Sequence, residues 1–238
     1  MELNVWCTTD KGLKRETNQD SYLIDEDLGL FIVADGMGGH LGGEVASSMA
    51  VETVQIIVRE NRDIHPQELL KMAYREASQR IFDKATENAP HLTGMGTTMV
   101  LSYLRGKTLF IGNVGDSRSY FYKNEMLWLL TEDHSLINEQ IRAGLITEEQ
   151  ARSYANKNII TRSVGYERDV DCDVIEREVQ KGEIYIFCSD GLSGLVPFDD
   201  ILKIIQNVPT ERLVGKLIDQ AKANGGDDNV TVMVLEFS

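Results

Sequence analysis

Residues 30–44 read Leu-Phe-Ile-Val-Ala-Asp-Gly-Met-Gly-Gly-His-Leu-Gly-Gly-Glu, and no other stretch narrows the fold as much. The apolar run from Leu30 to Ala34 has the length and β-branched content of a buried strand. It ends on a carboxylate, Asp35, and then on glycines at 36, 38, 39, 42 and 43. Glycine admits positive φ and lets the backbone come close to a ligand. One charge therefore sits at the end of a rigid strand, surrounded by bare backbone, and a helical pattern begins at Glu44. The stretch lacks the Lys-Ser/Thr ending of a Walker loop and the G-x-G-x-x-G spacing of a dinucleotide fold. Alone, it also fits a glycine-rich strand-to-helix turn with a solvated Asp.

The rest of the chain reads as strands grouped with strands and helices with helices. Strands are expected at 3–9, 21–25 and 29–35, separated by a polar loop from Asp10 to Asp20. A helix from Glu44 to Asn61 carries Ala46, Ala50, Val54 and Ile57 on one face. A second opens at Pro66, with Leu69, Leu70, Ala73, Ala77, Ile81 and Ala85 inward and Arg75, Glu76, Gln79 and Arg80 outward. Strands at 97–104, 108–114, 117–122 and 126–130 follow, with Arg105-Gly106-Lys107 and Lys123-Asn124-Glu125 as hairpin turns. Residues 132–160 are polar, with short helices near 135–143 and 147–155. Strands at 173–180 and 184–188, helices at 198–206 and 210–223, and a last strand at 229–237 complete the chain. In that strand Val230, Val232 and Val234 alternate with Thr231, Met233, Leu235 and Phe237, so both faces are apolar, as in a sheet covered on both sides. The grouping argues for antiparallel sheets flanked by helices rather than an alternating βαβ fold. The expectation is one domain over residues 1–238, with 132–160 as an inserted flap.

Bulk properties exclude several classes of function. A net charge of −14 opposes nucleic-acid binding, which needs clustered Lys and Arg. Three dispersed cysteines fit a reducing compartment and neither a disulfide scaffold nor a zinc site. The N-terminus has no basic-then-apolar signal pattern, and no run approaches the ~18 apolar residues of a membrane span. The expectation is a cytoplasmic protein, or the cytoplasmic part of something longer.

Asp35 has company of its own type. Asp116 follows Ile111-Gly-Asn-Val-Gly, Asp190 follows Ile186-Phe-Cys-Ser, Asp228 precedes the last strand, and Asp20 opens one. If the sheets bring these strand ends together, the carboxylates raise one another's pKa and cannot all ionise unpaired. A hard divalent cation resolves that, and oxygen-only ligation favours Mg²⁺ or Mn²⁺ over zinc. Each Asp-Gly alone is also an ordinary turn. Asp116 in particular could cap a turn by pairing with Ser117 or Arg118.

The series Arg15-x-x-Asn18-Gln19-Asp20, Val33-Ala-Asp-Gly-Met-Gly-Gly-His40, Gly96-Thr-Thr98, Gly112-Asn-Val-Gly-Asp-Ser-Arg118, Ser189-Asp-Gly191 and Asp228-Asn229 closely resembles the metal-dependent Ser/Thr protein phosphatases of type 2C, and their compact bacterial members most of all. The resemblance runs from about Thr8 to Phe237. It implies an α+β fold, a four-layer α-β-β-α sandwich of two antiparallel sheets between helix pairs, with the metal site at one end. It also implies that Asp35 bridges two ions, with the Gly36 carbonyl, Asp190 and Asp228 as ligands and Asp20 acting through metal-bound water. Asp116, with Asp190, matches a third, weaker site. Arg15 matches the residue that grips the phosphate, for which a planar fork suits two oxygens at once.

The implied reaction is attack on phosphorus by a water that two Mn²⁺ or Mg²⁺ ions deprotonate, without a covalent enzyme intermediate. The implied partners are phosphorylated proteins, including a Ser/Thr kinase whose action the enzyme reverses, and the expected state is a monomer. Met37 stands where animal members carry a histidine, so His40 is the nearest proton donor in sequence and a metal-bound water its rival. Gln19 replaces the second carboxylate of the animal acidic pair. An inactive relative kept as a phosphopeptide-binding module would be expected to lose a metal aspartate, and none is lost. An enzyme specialised on one phosphoserine regulator of an anti-sigma system is a further alternative, against which the long flap argues.

Overall fold

The computed structural model describes residues 1–88, 92–152 and 159–238. Ten strands form two five-stranded sheets. One runs in the order β1 (Leu3–Asp10), β10 (Val230–Phe237), β9 (Glu183–Cys188), β6 (Arg118–Lys123), β7 (Met126–Leu129). The other runs β2 (Asp20–Asp25), β3 (Leu30–Met37), β4 (Gly96–Arg105), β5 (Thr108–Val114), β8 (Asp173–Glu178). All neighbours pair antiparallel.

Strand alternation divides the core into three apolar layers. In β3, Leu30, Ile32 and Ala34 pack under α1 (Gly39–Glu60) and α2 (Pro66–Asp83). Phe31 and Val33 point the other way, into the space between the sheets. In β10, Val230, Val232 and Val234 lie against α6 (Phe198–Asn207) and α7 (Leu213–Ala223), while Met233, Leu235 and Phe237 meet Phe31 and Val33 in the middle. The result is the expected α-β-β-α sandwich, and each fully buried aliphatic side chain contributes roughly 1.5–3 kcal/mol. No helix among the described residues is long and apolar enough to cross a membrane.

Parity also aims the functional residues. Asp35 continues the Phe31–Val33 face, so it points into the inter-sheet layer at its open end. Register places Asp20 directly opposite Asp35 on one side and Thr98 on the other.

The structure differs from the sequence expectation at several boundaries. The first helix begins at Gly39 rather than Glu44, because α1 crosses β3 at a distance only glycine permits. A Cβ on Gly36 would lie 2.0 Å from the Gly43 carbonyl oxygen, and one on Gly43 would lie 2.6 Å from Gly36 backbone atoms. Low helix propensity hides that first turn from a reading by periodicity. β6 starts at Arg118, not Ser117, and β8 stops at Glu178 rather than residue 180. The first turn of the expected 210–223 helix is a 3₁₀ turn, Thr210–Arg212, and a short α5 (Asp190–Ser193) follows β9. Within the flap lie α3 (Leu136–Arg142) and α4 (Glu148–Arg152); the end of the expected 147–155 helix lies outside the described residues. On α2 the expected apolar face is buried, together with Tyr74, whose hydroxyl donates to the Met99 carbonyl at 2.9 Å.

Gly36→Ala should lower the urea midpoint of the metal-free protein, at the upper end of the about 1–3 kcal/mol that overpacking costs. Gly215→Ala, helical with no atom within 4 Å of the added Cβ, should raise it by about 0.5–1 kcal/mol. Equal midpoints for the two variants would contradict the close β3–α1 crossing.

Candidate active site

At one end of the sandwich the inter-sheet layer changes from apolar to polar. Thr231 continues the inward face of β10 and Ser189 that of β9, and both hydroxyls donate to Asp20 Oδ2, at 2.6 and 2.9 Å. The Ser189 hydroxyl also accepts the Thr231 N–H at 2.9 Å, locking the two strand ends together. Gly191 lets α5 lie against the start of β10, since a Cβ there would sit 2.0 Å from the Asn229 carbonyl oxygen. That contact brings Asp190 beside Asp228.

These elements enclose a cavity of about 430 Å³ lined by Arg15, Asp35, Gly36, Asp116, Asp190 and Asp228, among others. Asp20 is not among the lining residues; it sits beside Asp35 on the neighbouring strand β2. Met37 and Gln19 line the cavity as well. Gln19 donates its amide to the Gly39 carbonyl at 2.6 Å and its N–H to Asn229 Oδ1 at 2.9 Å, so it braces the loop as a neutral residue. Arg15 donates to Asp228 Oδ2 at 2.6 Å across the mouth. Asp228 Oδ1 accepts the Asn229 N–H at 2.8 Å. The His40 side chain lies outside the described residues.

Asp116 is not hydrogen-bonded to Ser117 or Arg118, whose side chains are engaged elsewhere. Ser117 is bonded to Thr98 at 2.7 Å between hydroxyl oxygens, and Arg118 is engaged by both oxygens of Asp133 at 2.9 and 2.6 Å. Among the described residues no other side chain hydrogen-bonds the Asp116 carboxylate, which faces the cavity. A second cavity, of about 870 Å³ beneath the flap, shares Asp116 and Asp190 with the first.

Burial and mutual repulsion govern the electrostatics. Burial first, then the charges of Asp20, Asp190 and Asp228, pushes Asp35 well above the usual carboxylate range. The adjacent Asp190 carboxylate adds to that rise. Burial also raises Asp20 to about 6, against the two hydroxyl donors that favour its charged form. Asp116 rises to about 7 through burial and the nearby Asp190 and Asp133. Asp190 is raised by burial and by Asp228. Two buried carboxylate oxygens, Asp20 Oδ1 and Asp190 Oδ1, have no hydrogen-bond partner among the described residues.

That combination fits hard divalent cations: oxygen donors only, like charges needing compensation, and orphaned buried acceptors. Among the described residues, no three His, Cys, Asp or Glu side chains are already gathered around a point where an ion could sit. Asp228, held by Arg15 and by the Asn229 N–H, illustrates why: its oxygens already have partners.

The sequence quotes Ser189 and Asn229 inside recurrent motifs without giving them a task, and it leaves Thr231, Asp133 and His134 unmarked. For Thr231 the signal was available in the alternation of the last strand, where a hydroxyl interrupts an otherwise apolar inward face. Asp133 and His134 sit in a polar segment without periodicity, and only the tertiary contacts distinguish them.

Fold and carboxylate-lined cavity together describe a metal-dependent phosphatase, and known proteins agree. The sequence profile of protein phosphatase 2C matches residues 13–228. The chain is 36% identical over 235 residues to the serine/threonine phosphatase Stp of Listeria monocytogenes, covering 96% of this chain and 93% of that protein. It superimposes on the crystal structure of the Mycobacterium tuberculosis serine/threonine phosphatase PstP/Ppp with a TM-score of 0.92 and 32% identity, covering 99% of each chain. A crystal structure of the PstP catalytic domain in complex with two manganese ions gives a TM-score of 0.88 at 32% identity, covering 98% of this chain and 97% of that one. The chain belongs to the protein phosphatase 2C family.

The raised carboxyls give the metal-free protein a pH signature. Asp20 titrates at about 6 in the fold against about 3.9 in an unfolded chain, so the native state holds its proton longer. Stability from Asp20 and Asp116 is therefore full below pH ~4 and is lost as pH rises through 6–7, and Asp35 and Asp190, raised in the same direction, act in the same sense. His134, whose pKa burial and then Arg162 lower, acts in the opposite sense around its unfolded value of ~6.5, which is why the comparison must be with a variant. In chelator, Asp35→Asn should melt above wild type, with a gap that widens from pH 5 to pH 7.5. Each kcal/mol relieved is worth about 2–4 °C in a domain of this size. A gap independent of pH would remove charge repulsion at Asp35 from the account.

Proposed function

We propose that this protein is a protein serine/threonine phosphatase. It hydrolyses phosphoserine and phosphothreonine in proteins by direct attack of water on phosphorus, and reverses the action of a Ser/Thr kinase in the cytoplasm. The observation that carries the reading is the register pair Asp20–Asp35 set against Asp190 and Asp228 at the end of the sandwich, with Arg15 across the mouth. In this reading one catalytic domain spans residues 1–238, residues 132–160 are its flap, and the protein works as a monomer.

Asp35, the Gly36 carbonyl, Asp190 and Asp228 would hold two Mn²⁺ or Mg²⁺ ions, with Asp20 acting through water and Asp116 with Asp190 contributing a third, weaker site. Such ions, when bound, supply a nucleophilic water at neutral pH and neutralise the phosphoryl oxygens. The chain's own residues do the rest. Arg15 turns its guanidinium between Asp228 and the phosphate; its planar fork matches two phosphoryl oxygens. Ser189 and Thr231 keep Asp20 oriented by donating to one of its oxygens and leaving the other toward the centre. The β3–α1 crossing brings bare glycine backbone to the floor, so a bulky phosphoprotein loop can approach Asp35 closely.

Assay of phosphoserine, phosphothreonine and phosphotyrosine peptides with and without Mn²⁺ tests the reading. Turnover of the first two should require Mn²⁺ or Mg²⁺ and disappear in EDTA. Full activity of the chelated enzyme would overturn it. Arg15→Ala should raise KM for phosphopeptides and lower kcat less, because a phosphate clamp acts mainly in ground-state binding. An unchanged kcat/KM would place Arg15 outside the reaction. Asp116→Ala should keep two ions and lose the third in a calorimetric Mn²⁺ titration, with phosphopeptide turnover strongly reduced. Unchanged occupancy and turnover would exclude Asp116 from the mechanism.

A further inference from the structure

Asp116 reaches the cavity without help from any other side chain, so its position depends on the backbone that carries it. That backbone is held mainly by His134. The His134 N–H donates to the Gly115 carbonyl at 2.9 Å, and the Gly115 N–H donates to His134 Nδ1 at 3.0 Å. The carbonyl also accepts a longer bond from the Asn113 amide at 3.5 Å, whereas the N–H is satisfied by the His134 ring. On its other side Gly115, at φ +103°, is pressed against Thr98, where a Cβ would lie 2.5 Å from the threonine Cβ. The loop cannot relax toward the sheet.

The far edge of the ring is fixed as firmly. His134 is 8% exposed, and its Nε2 lies 3.2 Å from Asp173 Oδ2 at the start of β8. Since Nδ1 accepts from Gly115, the neutral ring carries its proton on Nε2 and donates it to Asp173. Arg162 donates to the other Asp173 oxygen at 3.0 Å and to the Asp171 carbonyl at 3.2 Å, and its Nη1 also lies 3.1 Å from His134 Nε2, so the ring edge faces the carboxylate and the guanidinium together. Burial, and then the Arg162 charge, keep the ring neutral. The His134 carbonyl accepts the Thr161 N–H at 2.9 Å, and Leu136 N–H donates to the Ile159 carbonyl at 2.9 Å, so the two feet of the flap are joined at this same residue.

We propose that His134 is a positioning residue of the phosphatase reaction: accepting at Nδ1 from Gly115 and donating at Nε2 to Asp173, it sets Asp116 over the cavity and ties that setting to the feet of the flap. A histidine that merely fills space would need neither a ring nitrogen accepting the Gly115 N–H nor a carboxylate at the opposite ring nitrogen. The proposal rests on the phosphatase reading through Asp116. It assigns work to residues that take no part in ligation themselves, through a continuous chain of hydrogen bonds from the 159–162 foot to Gly115.

Two near-isosteric variants separate the ring's two bonds. His134→Asn puts an amide oxygen near the place of Nδ1 and keeps an acceptor for Gly115. His134→Gln puts an amide N–H near the place of Nε2 and keeps the donor to Asp173. Each forfeits one bond, so the two should melt at similar temperatures. The expected result is a fall in phosphopeptide kcat for the Gln variant of about tenfold or more with KM within about twofold, as misplacement of a site group produces. The Asn variant should stay within about threefold of wild type. Hydrogen exchange at the Gly115 amide, read by NMR without metal, should accelerate in the Gln variant and stay protected in the Asn variant. Equal exchange at Gly115 in the two variants, or equal loss of kcat, overturns the proposal. Inactivity of the wild type on every phosphopeptide would instead overturn the phosphatase reading, and the exchange contrast would still report the tie itself.

Discussion

Asp20 and Asp35 face each other across one register position of β2 and β3, and Asp190 and Asp228 add their charge from the opposite sheet. Burial denies these groups the water that would screen them, so Asp20, Asp35 and Asp190 are pushed above the usual carboxylate range. An apolar pair at the same place would be more favourable for folding alone. The repulsion is a functional strain, local and confined to the end of a layer that is otherwise continuous hydrocarbon from Phe31 to Phe237. The three apolar layers hold four strand ends at fixed separation despite that repulsion, and they leave the carboxylates a common need for cationic charge.

The scaffold aims the site through alternation. One inter-sheet face supplies both the core and the site: Phe31, Val33 and Asp35 on β3; Thr231, Met233 and Leu235 on β10; Phe187 and then Ser189 at the end of β9. A slip of one residue in β3 would turn Asp35 toward the helices and bury Ala34 between the sheets. The glycines serve the same end by different means. Gly36 and Gly43 allow α1 to cross β3 backbone to backbone, Gly191 allows α5 to meet β10, and Gly115 takes a left-handed conformation against Thr98. Each is a place where a side chain would separate elements that the cavity needs in contact.

Around this rigid end the more adaptable parts are joined by polar contacts. Arg118 and Asp133 form a two-pronged pair beneath the flap, and His134, Arg162 and Asp173 join its feet to the second sheet. Hydrogen bonds are directional and individually modest, so such a joint can register displacement where an apolar core would only resist it. The cavity beneath the flap opens on the same two aspartates as the first, Asp116 and Asp190.

Much of this was legible in the chain. Period-two and period-3.6 patterns fixed the identity of nearly every strand and helix, because apolar faces must be buried and their spacing reports the geometry that buries them. Asp35, Asp116, Asp190 and Asp228 stood out as carboxylates at strand ends beside glycine or another small residue, Asp20 as one that opens a strand, and Arg15 through the motif that carries the family resemblance. What the chain could not express was which ends meet. The start of α1 at Gly39 was hidden because glycine disfavours a helix unless a neighbour requires its bareness, and that neighbour is Gly36 on another element. Asp20 proved to stand beside Asp35 without lining the cavity, a matter of placement that no spacing encodes. Thr231 and Ser189 acquire a role only when two strands bring their hydroxyls to one oxygen. His134 lies nineteen residues from Gly115 in a segment without pattern, and its two bonds exist only once the sheets close. The sequence by itself determined which residues carry charge, which faces are apolar and where the chain can bend, since these are local properties of side chains. Depth, pairing and pKa were decided by the tertiary structure, because each depends on the distance between groups far apart in the chain.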